Sequence, residues 1–225
     1  MDGWTEMEMI NQEQIDYSER VNTGTSWTRN DFLEEHGYLV IKNLYDPEKL
    51  YHPVPQERGQ INYYGSLNHF SHNPTETQVE GSLARYSHPQ YKEAHSQIRS
   101  ELEKQIGRKL YNTYYYDRFY FPGQELKKHT DRDACEISVT IHISTSLKKC
   151  WEIWVKTVKG EERAICLEPG DGMIYKGCER PHWRESMPGK KKTWWSRKED
   201  YYHQIFFHYV LADGIRSHCA FDAAR

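Results

Sequence analysis

From Tyr111 to Val210 the chain is a succession of short β-patterned runs cut by turn residues, and that arrangement leaves few folds open. The runs are Tyr111–Phe121, Glu136–Ser144, Trp151–Lys156, Ala164–Leu167, Gly172–Tyr175, His182–Glu185 and His203–Val210. Between them lie Pro122-Gly123, Lys159-Gly160, Pro169-Gly170-Asp171 and Pro188-Gly189. Short strands punctuated in this way predict a double-sheet jelly roll or barrel. Aromatic residues make up 14% of the chain against 37% hydrophobic in all, so the core must rely on Tyr, Trp and Phe, whose polar tips need partners. Such a composition suits a mainly β shell around a wet pocket.

The first half reads differently. Residues 1–26 are polar and without period, which predicts an N-terminal arm draped on the domain or partly mobile. Asn30–His36 reads as a short helix stopped by Gly37, and Tyr38–Ile41 as a strand. Residues 51–89 show no stable period and predict a long loop of the kind that binds or covers substrate. Pro89 opens a helix with Tyr91, Ala94, Ile98, Leu102 and Ile106 at helical spacing and a stop near Gly107. For a chain of 225 residues this predicts one domain over 27–225: helical and loop-rich to 110, a β core over 111–214 and a tail over 215–225.

A net charge of -3 argues against a nucleic acid or an anionic membrane held by bulk electrostatics. Cys135, Cys150, Cys166, Cys178 and Cys219 are odd in number and lack CxxC spacing, fitting neither a disulfide framework nor a zinc ribbon. With an acidic start at Met1–Glu8 and no apolar run of transmembrane length, the expectation is a soluble, cytoplasmic protein in a reducing compartment.

His129 and Asp131 are two apart, so on a strand both side chains leave one face. One further histidine would complete a 2-His-1-carboxylate set, the arrangement that holds non-haem Fe(II) with open positions. Among twelve histidines and 33 acidic residues such a pair arises by chance, and context distinguishes this one. A strand and a Pro-Gly turn precede it, and a Pro-Gly-Asp turn and a strand lead to His182. His142, on the following strand, is read as either an in-facing ligand contact or a buried histidine satisfied by the backbone. His203 and His208 are read as structural.

The pattern Tyr120-x-x-Gly123-Gln124-x-x-x-x-His129-x-Asp131, with Pro169-Gly170-Asp171 and His182, resembles the 2-oxoglutarate- and Fe(II)-dependent dioxygenase superfamily near its prolyl 4-hydroxylase-like branch. Cys135–Thr140, Tyr175–Glu179, His182–Glu185 and Gln204–Val210 look like small oxygenases of marine cyanophages and ocean metagenomes, which extends the cytoplasmic expectation to a phage-infected host cell. The likeness runs from about Tyr111 to Gly214.

The resemblance implies a double-stranded β-helix, the cupin-like jelly roll, with iron held by His129, Asp131 and His182. It implies 2-oxoglutarate and O2 as co-substrates, ascorbate as a stimulant, and hydroxylation of an unactivated C–H bond of a peptide or small molecule with release of succinate and CO2. Asp131, a carboxylate where related halogenases carry a small residue, favours hydroxylation or another oxidative outcome. The family's basic residue for the far carboxylate of 2-oxoglutarate falls on Lys192 by one register and on Tyr202 by another. Arg184, two residues past His182 and about 7 Å further along a strand, is the third candidate, with a guanidinium fork that a lysine lacks; Arg118 and Arg197 are others.

Tyr120, Ser138 and His142 match co-substrate contacts by position. Leu126 replaces a tyrosine that prolyl 4-hydroxylases place near the substrate, which points away from peptidyl-proline. Arg85, Tyr63 and Arg118 are candidates for substrate contact. The alternative function is a cupin-like metal- or ligand-binding jelly roll without oxidative turnover.

Overall fold

In the computed structural model, residues 29–55, 59–64, 69–73, 78–195 and 198–221 are described. The N-terminal arm and Arg197 lie outside them, as do the side chains of 59–64 and 69–73, Tyr63 included. The chain enters with helix α1 (Arg29–His36), strand β1 (Tyr38–Ile41) and a single turn α2 (Pro47–Leu50). Asp46 caps α2 by accepting from the Glu48 amide at 3.0 Å, which satisfies one of its orphan N–H groups. Three strands follow, β2 (Gly59–Tyr64), β3 (His69–Asn73) and β4 (Leu83–Tyr86), and then α3 (Lys92–Ile106). Gly107, at φ 68°, closes α3 with its N–H on Glu103 O, a left-handed turn that glycine enters at little cost.

The remainder is β: β5 (Leu110–Tyr120), β6 (Leu126–His129), β7 (Ile137–Thr145), β8 (Ile153–Lys156), β9 (Glu162–Ile165), β10 (Gly172–Tyr175), β11 (His182–Arg184) and β12 (Tyr202–Leu211). Eight strands form one sheet in the order β1-β10-β7-β12-β5-β4-β2-β3, and four form a second in the order β6-β11-β8-β9.

Strand β7 shows why the interior is polar. Ile137, Val139, Ile141 and Ile143 join Ala94, Ile98, Leu102 and Ile106 of α3 in the main core. Ser138, Thr140 and His142 alternate with them and are buried as well. A strand buried on both faces usually reads as a continuous apolar run; here the inner face carries hydroxyls and an imidazole because it lines a site. The adjacent row of β12 adds Gln204 and His208 on either side of Phe206, all buried.

Two expectations are corrected. The 51–89 stretch is not one loop, since β2, β3 and β4 extend the large sheet, with β2 parallel to β4 and antiparallel to β3. Main-chain pairing at a sheet edge needs no hydrophobic alternation, so the sequence carried no period there. Cys150 and Cys166 form a disulfide, with Cα atoms 5.9 Å apart. They flank the β8–β9 hairpin, and antiparallel pairing brings them together without any spacing motif; with that bond, cysteine usage no longer argues for a reducing compartment. Among the described residues no helix is long and apolar enough to cross a membrane.

Candidate active site

His129 ends β6 and His182 begins β11, and the two are direct cross-strand partners. Their rings are 4.4 Å apart, centroid to centroid. Asp131 lies just past β6, tied by its N–H to Gly177 O at 2.9 Å. His129 Nε2 and His182 Nε2 approach the same oxygen, Asp131 Oδ1, at 3.5 and 3.6 Å. Each histidine turns its other nitrogen to a backbone carbonyl, Nδ1 of His129 to Lys127 O at 2.7 Å and Nδ1 of His182 to Arg180 O at 3.0 Å. These outer contacts place the proton on Nδ1 and leave both Nε2 lone pairs aimed at the centre. The three donors fit a divalent ion.

Burial alone would raise the Asp131 carboxyl, but the imidazoles around it, His129 first and then His182 and His208, outweigh it and lower its pKa to about 2. Burial lowers His182, keeping it neutral. The Ser138 hydroxyl lies 3.2 Å from Asp131 Oδ2 and 2.9 Å from His208 Nδ1, fixing the far oxygen of the carboxylate.

Gly177 is required by contact: a Cβ there would lie 2.4 Å from Asp131 Oδ2 and 2.7 Å from Ser138 Oγ. His208, read from sequence as structural, is therefore beside the site, its ring stacked on Tyr114 at 4.6 Å. Both residues were missed. The signal for His208 was the alternation of β12; for Gly177 there was none, because the close approach is tertiary.

Deeper in the barrel lies Arg184. Its Nη1 donates to Trp151 O at 2.5 Å, and its Nη2 to Gln204 Oε1 at 2.6 Å and Tyr202 OH at 3.3 Å. Its guanidinium lies over the rings of Trp151 and Tyr202, 4.5 and 4.6 Å from their centroids. Arg184 is 1% exposed, and among the described residues it has no carboxylate partner. Buried charges are ordinarily paired, so this one suits an anionic ligand.

Around the barrel interior, Thr140 Oγ1, His142 Nε2, Arg184 Nε and Gln204 Nε2 are buried without hydrogen-bond partners. His142 combines the two readings of the sequence: Nδ1 is satisfied by Leu167 O at 2.7 Å, the ring stacks on Tyr202 at 4.2 Å, and burial lowers its pKa to about 4. Tyr202, where one register expected the basic residue, is the residue that Arg184 reaches. The guanidinium thus arrives from β11 beside Tyr202 of β12.

Tyr120 is buried and accepts from Arg118 Nη1 at 3.2 Å. Arg118, on the same inner face of β5, also donates to Gln78 Oε1 at 2.7 Å. Lys192 is not brought to the interior; it is exposed on the connection from β11 to β12. Arg85 is committed elsewhere, in a buried ion pair with Asp117 that also holds His203 Nε2 at 2.7 Å.

No protein-family model matches the chain, and no curated protein does. Solved structures do. An oxidoreductase of the 2OG-Fe(II) oxygenase family from Burkholderia pseudomallei aligns with a TM-score of 0.55 at 11% identity, over 88% of this chain and 90% of that one. A prolyl-4-hydroxylase from Pseudomonas putida aligns with a TM-score of 0.52 at 14% identity, over 79% and 95%. A prolyl hydroxylase from Trichoplax adhaerens, in complex with a hypoxia-inducible-factor peptide fragment, aligns with a TM-score of 0.50 at 12% identity, over 89% and 92%. The fold is the double-stranded β-helix of these 2OG-Fe(II) oxygenases. At such identities the likeness speaks for the fold, and the chemistry rests on the side chains.

Proposed function

We propose that the protein is an Fe(II)- and 2-oxoglutarate-dependent dioxygenase that hydroxylates an unactivated C–H bond of a peptide or small molecule, releasing succinate and CO2. The observation that carries this reading is one interior that holds both the convergent donors of His129, Asp131 and His182 and a buried guanidinium with no carboxylate partner among the described residues. The first suits iron with open positions. The second suits the far carboxylate of 2-oxoglutarate, through a bidentate fork.

When bound, iron with 2-oxoglutarate and O2 supplies the oxidising power. The chain's own groups bind and orient. Ser138 holds the outer oxygen of Asp131 so that the inner one faces the histidines, and Trp151, Tyr202 and Gln204 hold the Arg184 fork in one plane. Thr140, His142 and Gln204 offer unpartnered polar atoms, suited to a polar co-substrate; on the adjoining strand β5, Tyr120 accepts from Arg118, the cross-strand partner of Gln204. The substrate class, peptide or small molecule, is kept open by this reading; the Trichoplax relative binds a peptide.

The test is anaerobic addition of Fe(II), ascorbate and 2-oxoglutarate. A weak visible charge-transfer band should appear, and succinate should form on admitting air with substrate. Asp131→Ala should abolish both. A protein that binds iron but gives neither signal would be a cupin-like jelly roll without oxidative turnover.

A further inference from the structure

Each cysteine of the Cys150–Cys166 disulfide stands one residue before a carbonyl that holds a side chain of the barrel interior. Trp151 O, after Cys150, accepts from Arg184 Nη1 at 2.5 Å. Leu167 O, after Cys166, lies 2.7 Å from His142 Nδ1. Arg184 belongs to β11 in the four-stranded sheet and His142 to β7 in the eight-stranded one. The bond therefore ties together two carbonyls that orient groups from different sheets.

Those two groups meet on one ring. The Arg184 guanidinium lies 4.6 Å from the centroid of Tyr202, and the His142 imidazole stacks on the same ring at 4.2 Å. Each also keeps a buried nitrogen without a hydrogen-bond partner, Arg184 Nε and His142 Nε2, groups that a polar ligand would satisfy. Strand pairing does not reach the cystine. The β8–β9 ladder ends at Ile153 and Ile165, so the backbone at 150–152 and 166–167 lies beyond the hydrogen bonds of the hairpin. Trp151 is held toward β11 by its indole, which donates to Glu185 O at 3.0 Å, and the S–S bond supplies the tie to the Leu167 side. With that tie cut, the two carbonyls can separate, and Arg184 and His142 must be ordered again when a ligand enters, which weakens binding.

We infer that the Cys150–Cys166 disulfide is a staple of the co-substrate pocket: it positions Arg184 and His142 through the carbonyls of Trp151 and Leu167, so that affinity for 2-oxoglutarate, and not for the metal ion, depends on the oxidation state of this pair. This rests on Arg184 being the anchor for the far carboxylate. The two triad imidazoles are oriented by other carbonyls, those of Lys127 and Arg180, and serve as the internal control. Cys150 and Cys166 are both partly exposed, so a small dithiol reaches them. A thiolate of dithiothreitol attacks one sulfur, the S–S bond breaks, and the reagent closes to its cyclic disulfide while its two electrons and two protons pass to the cysteines.

Calorimetry under nitrogen measures 2-oxoglutarate binding to the Mn2+-loaded full chain in three forms: air-oxidised wild type, wild type reduced with dithiothreitol and desalted, and the Cys150→Ala/Cys166→Ala double variant. Circular dichroism checks the folding of each at the temperature used. The reduced and double-variant forms should bind 2-oxoglutarate about tenfold more weakly, the effect of side chains left to be ordered on binding, with Mn2+ affinity within about twofold of oxidised wild type. Reoxidation with oxidised glutathione should restore the wild type and leave the double variant unchanged. Unchanged 2-oxoglutarate affinity in both forms, a parallel fall in Mn2+ affinity, unfolding of both forms, or free thiols at 150 and 166 in the air-oxidised chain by mass spectrometry would each overturn the staple. If oxidised wild type takes up Mn2+ but no 2-oxoglutarate, or Arg184→Ala binds it as tightly as wild type, the co-substrate reading itself fails and the staple falls with it.

Discussion

Individual side chains in this site are held by contacts tight enough that small changes have predictable results. Gly177 is the sharpest case, since a methyl group there meets Asp131 Oδ2, Cys135 O and Ser138 Oγ, all within 2.7 Å. Gly177→Ala should push the carboxylate off the histidines, so that titration calorimetry with Mn2+ shows binding lost while urea unfolding shows only about 1–3 kcal/mol of overpacking. Arg184→Lys keeps the charge but cannot serve Trp151 O, Gln204 and a carboxylate from one planar group. Affinity for 2-oxoglutarate should fall roughly tenfold, read as quenching of Trp fluorescence in the anaerobic iron complex, with iron affinity retained. If co-substrate binding is unaffected, the anchor is another residue. At this scale the sequence showed which donors were available: His129, Asp131, His182 and Arg184 were all legible from residue type and spacing. Lys192 was an equally cationic candidate, and only burial separates it from Arg184.

The elements explain how those residues are presented. The alternation of β7 and β12 sends Ile, Val and Phe207 toward the helical side and Ser, Thr, Gln and His, with Phe206, inward, and α3 closes the helical side of the sheet. Within that layer His95 is buried among Tyr115, Phe207 and Tyr209, with Nε2 on His208 O at 3.1 Å. Burial lowers its pKa from 6.5 to about 3. The unfolded chain therefore takes up this proton before the folded one does. The stabilisation is full above about pH 6.5 and is lost as the pH falls toward the folded value of about 3. Urea midpoints measured at pH 7 and pH 4.5 should fall more in wild type than in His95→Phe, which keeps the ring packing without the proton; equal falls would exclude His95 as a source of acid lability. The 51–89 region marks what a single segment could not reveal, because β2 is placed by pairing with β4, and β3 by pairing with β2, rather than by a period of their own.

At the level of the whole molecule, the four-stranded sheet pairs β6 with β11, so that His129 and His182, far apart in the chain, meet beside Asp131. The same antiparallel geometry brings Cys150 and Cys166 together at the foot of the β8–β9 hairpin. Closing a loop of that length should stabilise the fold by about 3 kcal/mol through the unfolded chain, so Cys150→Ser, or reduction of wild type, should lower the unfolding free energy by that order. A chain whose stability is indifferent to dithiothreitol would argue against the bond. Local sequence determined the β-rich class, the helix with its glycine stop and the three candidate donors, because periodicity, turn chemistry and residue type are properties of short segments. Tertiary structure alone decided the His129–His182 register, the burial of Arg184 and exposure of Lys192, the Gly177 contact and the disulfide. Each of those depends on distances between segments, and no local pattern encodes them.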